Sequence, residues 1–347
     1  MLKDRFHLNK KKIYVYSPSS AVRDAASFSR GVRRLVALGH EVEVDPDARR
    51  SHMRFAGDDD TRLAALKRTA SSGADVALIS RGGYGLTRLL PRLPYDDIAA
   101  SIMQGMFWVG LSDFTALQMG LMAHQQRKSG TDGKSLAPHF GPGAVTWAGP
   151  ALGEDFGADP KQGDEDNPLP DDIMEACFDD LLSGQGEGTG WRLPANEKTD
   201  LLVENATLWG GNLSVLVSMI GTPHLPSVED GILFLEDVNE HPFRIERMLT
   251  QLLYTGILGK QKAIVLGEFN RYKLAAGHDR GFKLSTVVNW LRDQLQAGAQ
   301  FSREDGQPVP VLTGLPFGHV HTKVLLPVGR AVDFAVNGRD ALLFWDR

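Results

Sequence analysis

The chain has 347 residues, 42% of them apolar and 23% charged, with a formal net charge of -5 and a single cysteine, Cys177. That balance suits a globular protein long enough for two domains. It excludes a general nucleic-acid binder, which needs a basic footprint, and any intrachain disulfide framework. No run approaches the roughly 18 apolar residues of a membrane span. The N-terminal "MLKDRFHLNKKKIYVYSPSS" also lacks an apolar segment of signal-peptide length. A cytoplasmic protein with no membrane partner is expected.

Strand-like and helix-like segments alternate from the start. "KIYVYSP" reads as a strand, and "AVRDAASFSRGVRRLVALG" as a helix stopping at Gly39. "EVEVD" is a second strand, "DDTRLAALKRTASSG" a second helix and "ADVALIS" a third strand. "FWVGLS" follows, with the helix "DFTALQMGLMAHQQR" behind it. Such alternation predicts right-handed βαβ units and a mainly parallel sheet covered on both faces. Residues 1–150 are therefore expected to form an N-terminal α/β domain. Residues 151–172 are acidic, rich in Gly and Pro and without period, which reads as a linker or flap. Residues 173–347 carry strands in "TDLLVENATLWGG", "GILFLEDV", "KAIVLGEF" and "HTKVLLPVGRAVDFAVNG", and helices in "HPFRIERMLTQLLYTG" and "FKLSTVVNWLRDQLQAG". A second α/β domain, barrel-like and more antiparallel, is expected there.

Four places carry chemistry. Ser112 stands where the strand of "FWVGLSDFTALQ" turns into a helix, at the carboxyl end of a parallel sheet. A nucleophile needs this exposure, with amide donors and a helix N-terminus nearby. Gly110 matches the first glycine of a nucleophile elbow, but Phe114 occupies the place of the second. The plainer alternative is that Ser112 or Asp113 caps the helix. "SRGGYGLTRLL" follows the third strand, and its glycines allow an oxyanion hole from the N–H groups of Gly83 and Asp113, or simply a flexible turn. G-x-G-x-x-G and G-K-[ST] are both missing there, so no dinucleotide or phosphate-loop reading is supported. Glu236 and Asp237 end an apolar strand, where a carboxylate can orient a histidine, be solvated, or pair with Arg244 or Arg247. His319, in "TGLPFGHVHTK", is a candidate general base or a bystander. His319 and His321 have no further zinc-spaced partner, so neither metal nor other cofactor is expected.

"RGGYG", "GLSDFTAL", "LWGGNLSVL", "LEDVNEHPFRIERMLTQL" and "LPFGH" together resemble the blocks of the LD-carboxypeptidase family, in order and across most of the chain. The resemblance implies a Ser-Glu-His triad at Ser112, Glu236 and His319, and an oxyanion hole from the backbone N–H groups of Gly83 and Asp113. It further implies an N-terminal α/β domain, a C-terminal barrel-like domain, a homodimer, and cytoplasmic wall recycling. The implied reaction releases the terminal D-alanine of a muropeptide tetrapeptide by cutting an L,D-peptide bond. A related branch, the microcin C immunity peptidases, uses the same triad on peptidyl or aminoacyl nucleotide analogues. Either way the partner is a small peptide substrate, a muropeptide or a peptidyl-nucleotide.

Arg81 is a candidate carboxylate clamp or a structural ion pair. Asn212 either caps a helix or touches substrate, and Tyr84 is a candidate pocket wall. The acidic stretch from Asp155 to Asp172 and "NRYKLAAGHDRGFKLSTVV" both depart from the family pattern by their length. A non-catalytic, two-lobed ligand-binding protein is the alternative from another class.

Overall fold

The computed structural model describes residues 10–130, 143–163, 168–274, 279, 281–297 and 307–345. Parts of the acidic stretch (164–167) and of the lengthened stretch before the histidine block (275–278 and 280) lie outside them, as do residues 1–9.

The first half folds by βα alternation. Strand β1 (Lys12–Tyr16) is followed by α1 (Ala25–Ala37), β2 (Glu41–Val44), α2 (Asp59–Ala70), β3 (Val76–Ile79), α3 (Tyr95–Met103), β4 (Phe107–Gly110), α4 (Phe114–Lys128) and β5 (Thr146–Ala148). Asp24 and Asp58 cap α1 and α2 by accepting from the free amides of their first turns. β3 is buried at every residue, as expected of a parallel strand covered on both faces.

The second half contains α5 (Asp172–Ser183), β6 (Gly188–Arg192), β7 (Thr199–Asn212), α6 (Leu213–Ser218), β8 (Ile232–Val238), α7 (Pro242–Tyr254), β9 (Ala263–Asn270), α8 (Leu284–Ala297) and β10 (Val311–Leu312). Strands β11 (Leu326–Val328), β12 (Ala331–Gly338) and β13 (Asp340–Phe344) complete it.

Two mixed α/β layers result. The six-stranded sheet runs β11-β5-β4-β3-β1-β2 and is parallel except for β11, which pairs antiparallel with β5. The seven-stranded sheet runs β10-β9-β8-β7-β12-β13-β6, parallel from β10 to β7 and antiparallel beyond it. It holds more antiparallel pairs than the first sheet, as expected. It is open rather than a closed barrel: among the described residues β10 and β6 remain its edges.

The first part of the acidic stretch is packed down. Ala151, Leu152 and Phe156 are buried, and a Cβ on Gly31 of α1 would lie 2.5 Å from the Leu152 carbonyl oxygen. Only glycine at position 31 allows that approach.

Candidate active site

Ser112 stands on a strained turn between β4 and α4. Its φ is +64°, a left-handed value that costs a non-glycine residue of order 1–3 kcal/mol. A Cβ on Gly110 would lie 2.8 Å from both the Phe114 ring and Ile79 Cδ1, so the turn needs the glycine before the serine. Phe114, in the place of the second elbow glycine, is fully buried and packs across Gly110. Capping does not account for the serine or its neighbour. Asp113 occupies the cap position of α4, yet its side chain makes no cap hydrogen bond.

The "RGGYG" turn lies against this serine. A Cβ on Gly82 would fall 2.6 Å from Ser112 Cβ and 2.9 Å from its Oγ. Gly83 has φ +104°. Neither the Gly83 nor the Asp113 N–H donates to another protein group among the described residues. Open amides near a nucleophile are what an oxyanion site requires.

The acid and the histidine come from the second sheet. Glu236 on β8 is fully buried, and its Oε2 lies 2.8 Å from His319 Nδ1. A β-bulge between Leu235 and Asp237 shifts the pairing of β8 with β9 at this point. The loop before His319 then lies on β9: the Glu268 N–H donates to the Phe317 carbonyl at 2.9 Å, and a Cβ on Gly267 would sit 2.4 Å from that oxygen. Phe317 packs edge-on to Phe234 of β8, and Asn270 Nδ2 donates to the His319 carbonyl at 2.9 Å. Burial disfavours the imidazolium of His319, but the Glu236 carboxylate and the Glu154 charge outweigh burial and the opposing Lys323. The His319 pKa is therefore raised.

Asn212, at the end of β7, binds this pair to the elbow. Its Oδ1 accepts the Val215 N–H and so caps α6. Its Nδ2 donates to Glu236 Oε1 at 3.0 Å and to Asp237 Oδ1 at 3.2 Å, and its N–H donates to Thr115 Oγ1 of α4 at 3.0 Å. Asp237 is buried as well, and burial together with the neighbouring Glu236 charge pushes its carboxyl up to about 6. Arg244 pairs with Glu240 instead of either of these acids.

Of the residues singled out in the sequence, the fold thus joins His319 and Asn212 through Glu236, and it sets the RGGYG turn, at Gly82, against Ser112. It does not close Ser112 onto His319: the Ser112 hydroxyl makes no hydrogen bond among the described residues. Arg81 Nη1 donates to the Ala21 carbonyl at 3.2 Å, and Tyr84 is 43% exposed with the Arg54 guanidinium over its ring. A cavity of about 650 Å³ has Arg23, Ser80, Arg81, Glu154, Arg271 and His321 in its lining, so it takes in the neighbours of the RGGYG turn and of the histidine loop. No group of three His, Cys, Asp or Glu side chains among the described residues is arranged to hold a metal.

Sequence reasoning did not find the Lys323–Asp155 pair. Its atoms lie 2.6 Å apart with both side chains nearly inaccessible, and it ties the histidine loop to the packed 151–157 segment. A lysine four residues after the histidine and an aspartate in an acidic run give no local signal that they meet.

Compared with known proteins, this fold is that of a peptidase. Residues 13–130 match the LD-carboxypeptidase N-terminal domain and residues 205–334 the LD-carboxypeptidase C-terminal domain. The chain belongs to the LD-carboxypeptidase family. A Synechocystis sp. protein that carries a carboxypeptidase name is 30% identical over 319 residues, covering 92% of this chain and 89% of that relative. The crystal structure of muramoyltetrapeptide carboxypeptidase from Oxalobacter formigenes superposes with a TM-score of 0.77 at 35% identity, covering 97% of this chain and 99% of that one. The microcin C7 self-immunity protein MccF shares the fold, with a TM-score of 0.74 at 23% identity over 97% of each chain. No helix among the described residues is long and apolar enough to cross a membrane.

Proposed function

We propose that the protein is a serine carboxypeptidase that cuts an L,D-peptide bond and releases the terminal D-alanine of a muropeptide tetrapeptide. Ser112 is the nucleophile, His319 the base and then the acid, and Glu236 the group that fixes the imidazole. The observation that carries the reading is the His319 Nδ1 contact to a fully buried Glu236. That bond leaves Nε2 as the nitrogen able to take a proton.

In this reaction His319 Nε2 removes the Ser112 proton as Oγ attacks the peptide carbonyl. The Gly83 and Asp113 N–H groups donate to the oxyanion, and each such donor is worth about 3–4 kcal/mol of the barrier. His319 then protonates the leaving amine, and water repeats the sequence on the acyl-enzyme. The Ser112–His319 hydrogen bond forms with substrate in place, since catalytic contacts of this kind commonly tighten only in the complex. The mixed charges of the cavity lining, which include Arg23, Arg81 and Arg271 as well as Glu154, suit a peptide bearing carboxylates and an amine. A cytoplasmic location, a homodimer and a division of the chain at residues 151–172 belong to the same reading; fractionation, light scattering and limited proteolysis check them.

Mass spectrometry after incubation with an L,D-linked tetrapeptide, a D,D-linked peptide and an aminoacyl-adenylate analogue tests the function. Release of D-alanine from the first alone is expected. Cleavage of the adenylate analogue alone would move the protein to the immunity-peptidase branch. Tight binding of all three without cleavage would make it a two-lobed binder.

A further inference from the structure

Asp113 does not cap its helix, and its carboxylate has another occupation. It is 1% exposed, and its Oδ2 accepts the Leu86 N–H at 2.8 Å and the Ser19 hydroxyl at 2.7 Å. Those partners belong to two loops distant in sequence: the turn that carries Gly82 and Gly83, and the "SPSS" segment after β1. The two loops also bond to each other. The Tyr84 N–H donates to Ser20 Oγ at 3.1 Å, and a Cβ on Gly83 would fall 2.2 Å from the same oxygen.

On the far side stands Arg62 of α2, fully buried. Its Nη1 donates to the Gly85 carbonyl at 2.8 Å and the Pro18 carbonyl at 3.1 Å, and Asp59 pairs with its other terminal nitrogen. The turn is thus gripped through the Tyr84 and Leu86 amides and the Gly85 carbonyl. The Gly83 amide is left open. Burial raises the Asp113 pKa, against the Leu86 amide, the Ser19 hydroxyl and the Arg62 charge, which favour the carboxylate.

We infer that Asp113, together with Ser20, is a positioning residue for the oxyanion site: its carboxylate holds the Gly82–Leu86 turn against Ser112 so that the Gly83 amide stays directed at the reaction. The inference rests on the serine-peptidase reading above. It gives Asp113 two separate duties, one for its amide and one for its side chain, and it brings Ser19, Ser20 and Arg62 into the machinery.

The test compares Asp113→Asn and Ser20→Ala with the intact enzyme. Asp113→Asn keeps the shape and the backbone amide but changes the acceptor, and Ser20→Ala removes the hydroxyl that takes the Tyr84 N–H. Deleting an oxyanion donor outright costs about 10²–10³ in kcat, so a displaced donor should cost about 10-fold. The expected result is that loss in kcat and in the rate of fluorophosphonate labelling of Ser112, with KM within about twofold in protein that remains folded. Intact kcat in both variants, or a raised KM with kcat unchanged, overturns the inference. Should Asp113→Asn fail to fold, Ser20→Ala alone decides. If the intact enzyme is not labelled at Ser112 and Ser112→Ala still turns over, the serine reading itself falls and takes this inference with it. Labelling at the intact rate in both variants sinks only the positioning role.

Discussion

The two halves of the site are built by different means. On the first sheet the immediate surroundings of Ser112 are set by backbone. Ser112 is held at a positive φ, Gly110 admits Phe114, and Gly82 lets a neighbouring turn touch the serine. On the second sheet it is set by buried side chains. Glu236, Asp237, Asn212 and His319 satisfy one another away from water, where an unpaired polar group would be costly. A backbone device tolerates no added atom, whereas a side-chain network tolerates no lost partner. The two halves should therefore fail differently.

Ser112→Ala should show the largest effect on turnover, a loss of roughly 10⁴- to 10⁶-fold. The hydroxyl bonds to no described group, so thermal melting should not move; a stable variant with intact turnover in a D-alanine release assay would refute the nucleophile. Glu236→Gln should cost about 10³–10⁴ in kcat, because an amide no longer selects the imidazole tautomer. Equal kcat before and after that change would show that the buried carboxylate does not act through His319. Lys323→Met leaves Asp155 buried and uncompensated, and should lower stability by about 3–5 kcal/mol in urea titration. Gly82→Ala attacks the backbone side: its new Cβ overlaps Ser112, and a misplacement of that kind should cost about 10²-fold in kcat.

The smallest effect is on pH dependence. Since the His319 pKa is raised above its ordinary value of about 6.5, kcat/KM should climb with pH to a midpoint above about 6.5. Removing the Glu236 charge should lower that midpoint. The stability that the protonated histidine draws from Glu236 is fully present below about pH 6.5 and is lost as pH rises through the raised folded value. A midpoint at or below 6.5 in the intact enzyme would contradict the raised value.

What could be read in the sequence was local. The strands and helices of the βα alternation, the turn at "GLSDF", the glycine pair, the strand-end acid and the GH loop each show in short stretches, and the fold and family follow from those stretches and their order. Less could be read where long-range contact decides. Arg62 looks like any polar helix position until its burial is known, and nothing near Asp113 announces that its carboxylate reaches Ser19. Residues 151–158 carry acids and glycines that resemble solvated chain, while Ala151, Leu152 and Phe156 among them are core. Asn212 could be assigned to a cap or to substrate from its position before a helix. Only the fold shows that its amide nitrogen is spent on two carboxylates. The open edge of the second sheet was also hidden, because strand periodicity does not reveal whether a sheet closes.

Strand β11 joins the first sheet, and β12, after only Gly329 and Arg330, joins the second. Residues 326–344 therefore stitch the halves together in the manner of a returned thread. A fragment stopped near residue 150 would leave β5 with a naked rim able to recruit strands from other copies, so it should precipitate rather than behave as a free module. Neither half could be exchanged for a cousin's by a simple cut at the midpoint, because one edge of the front half is encoded near the end of the chain.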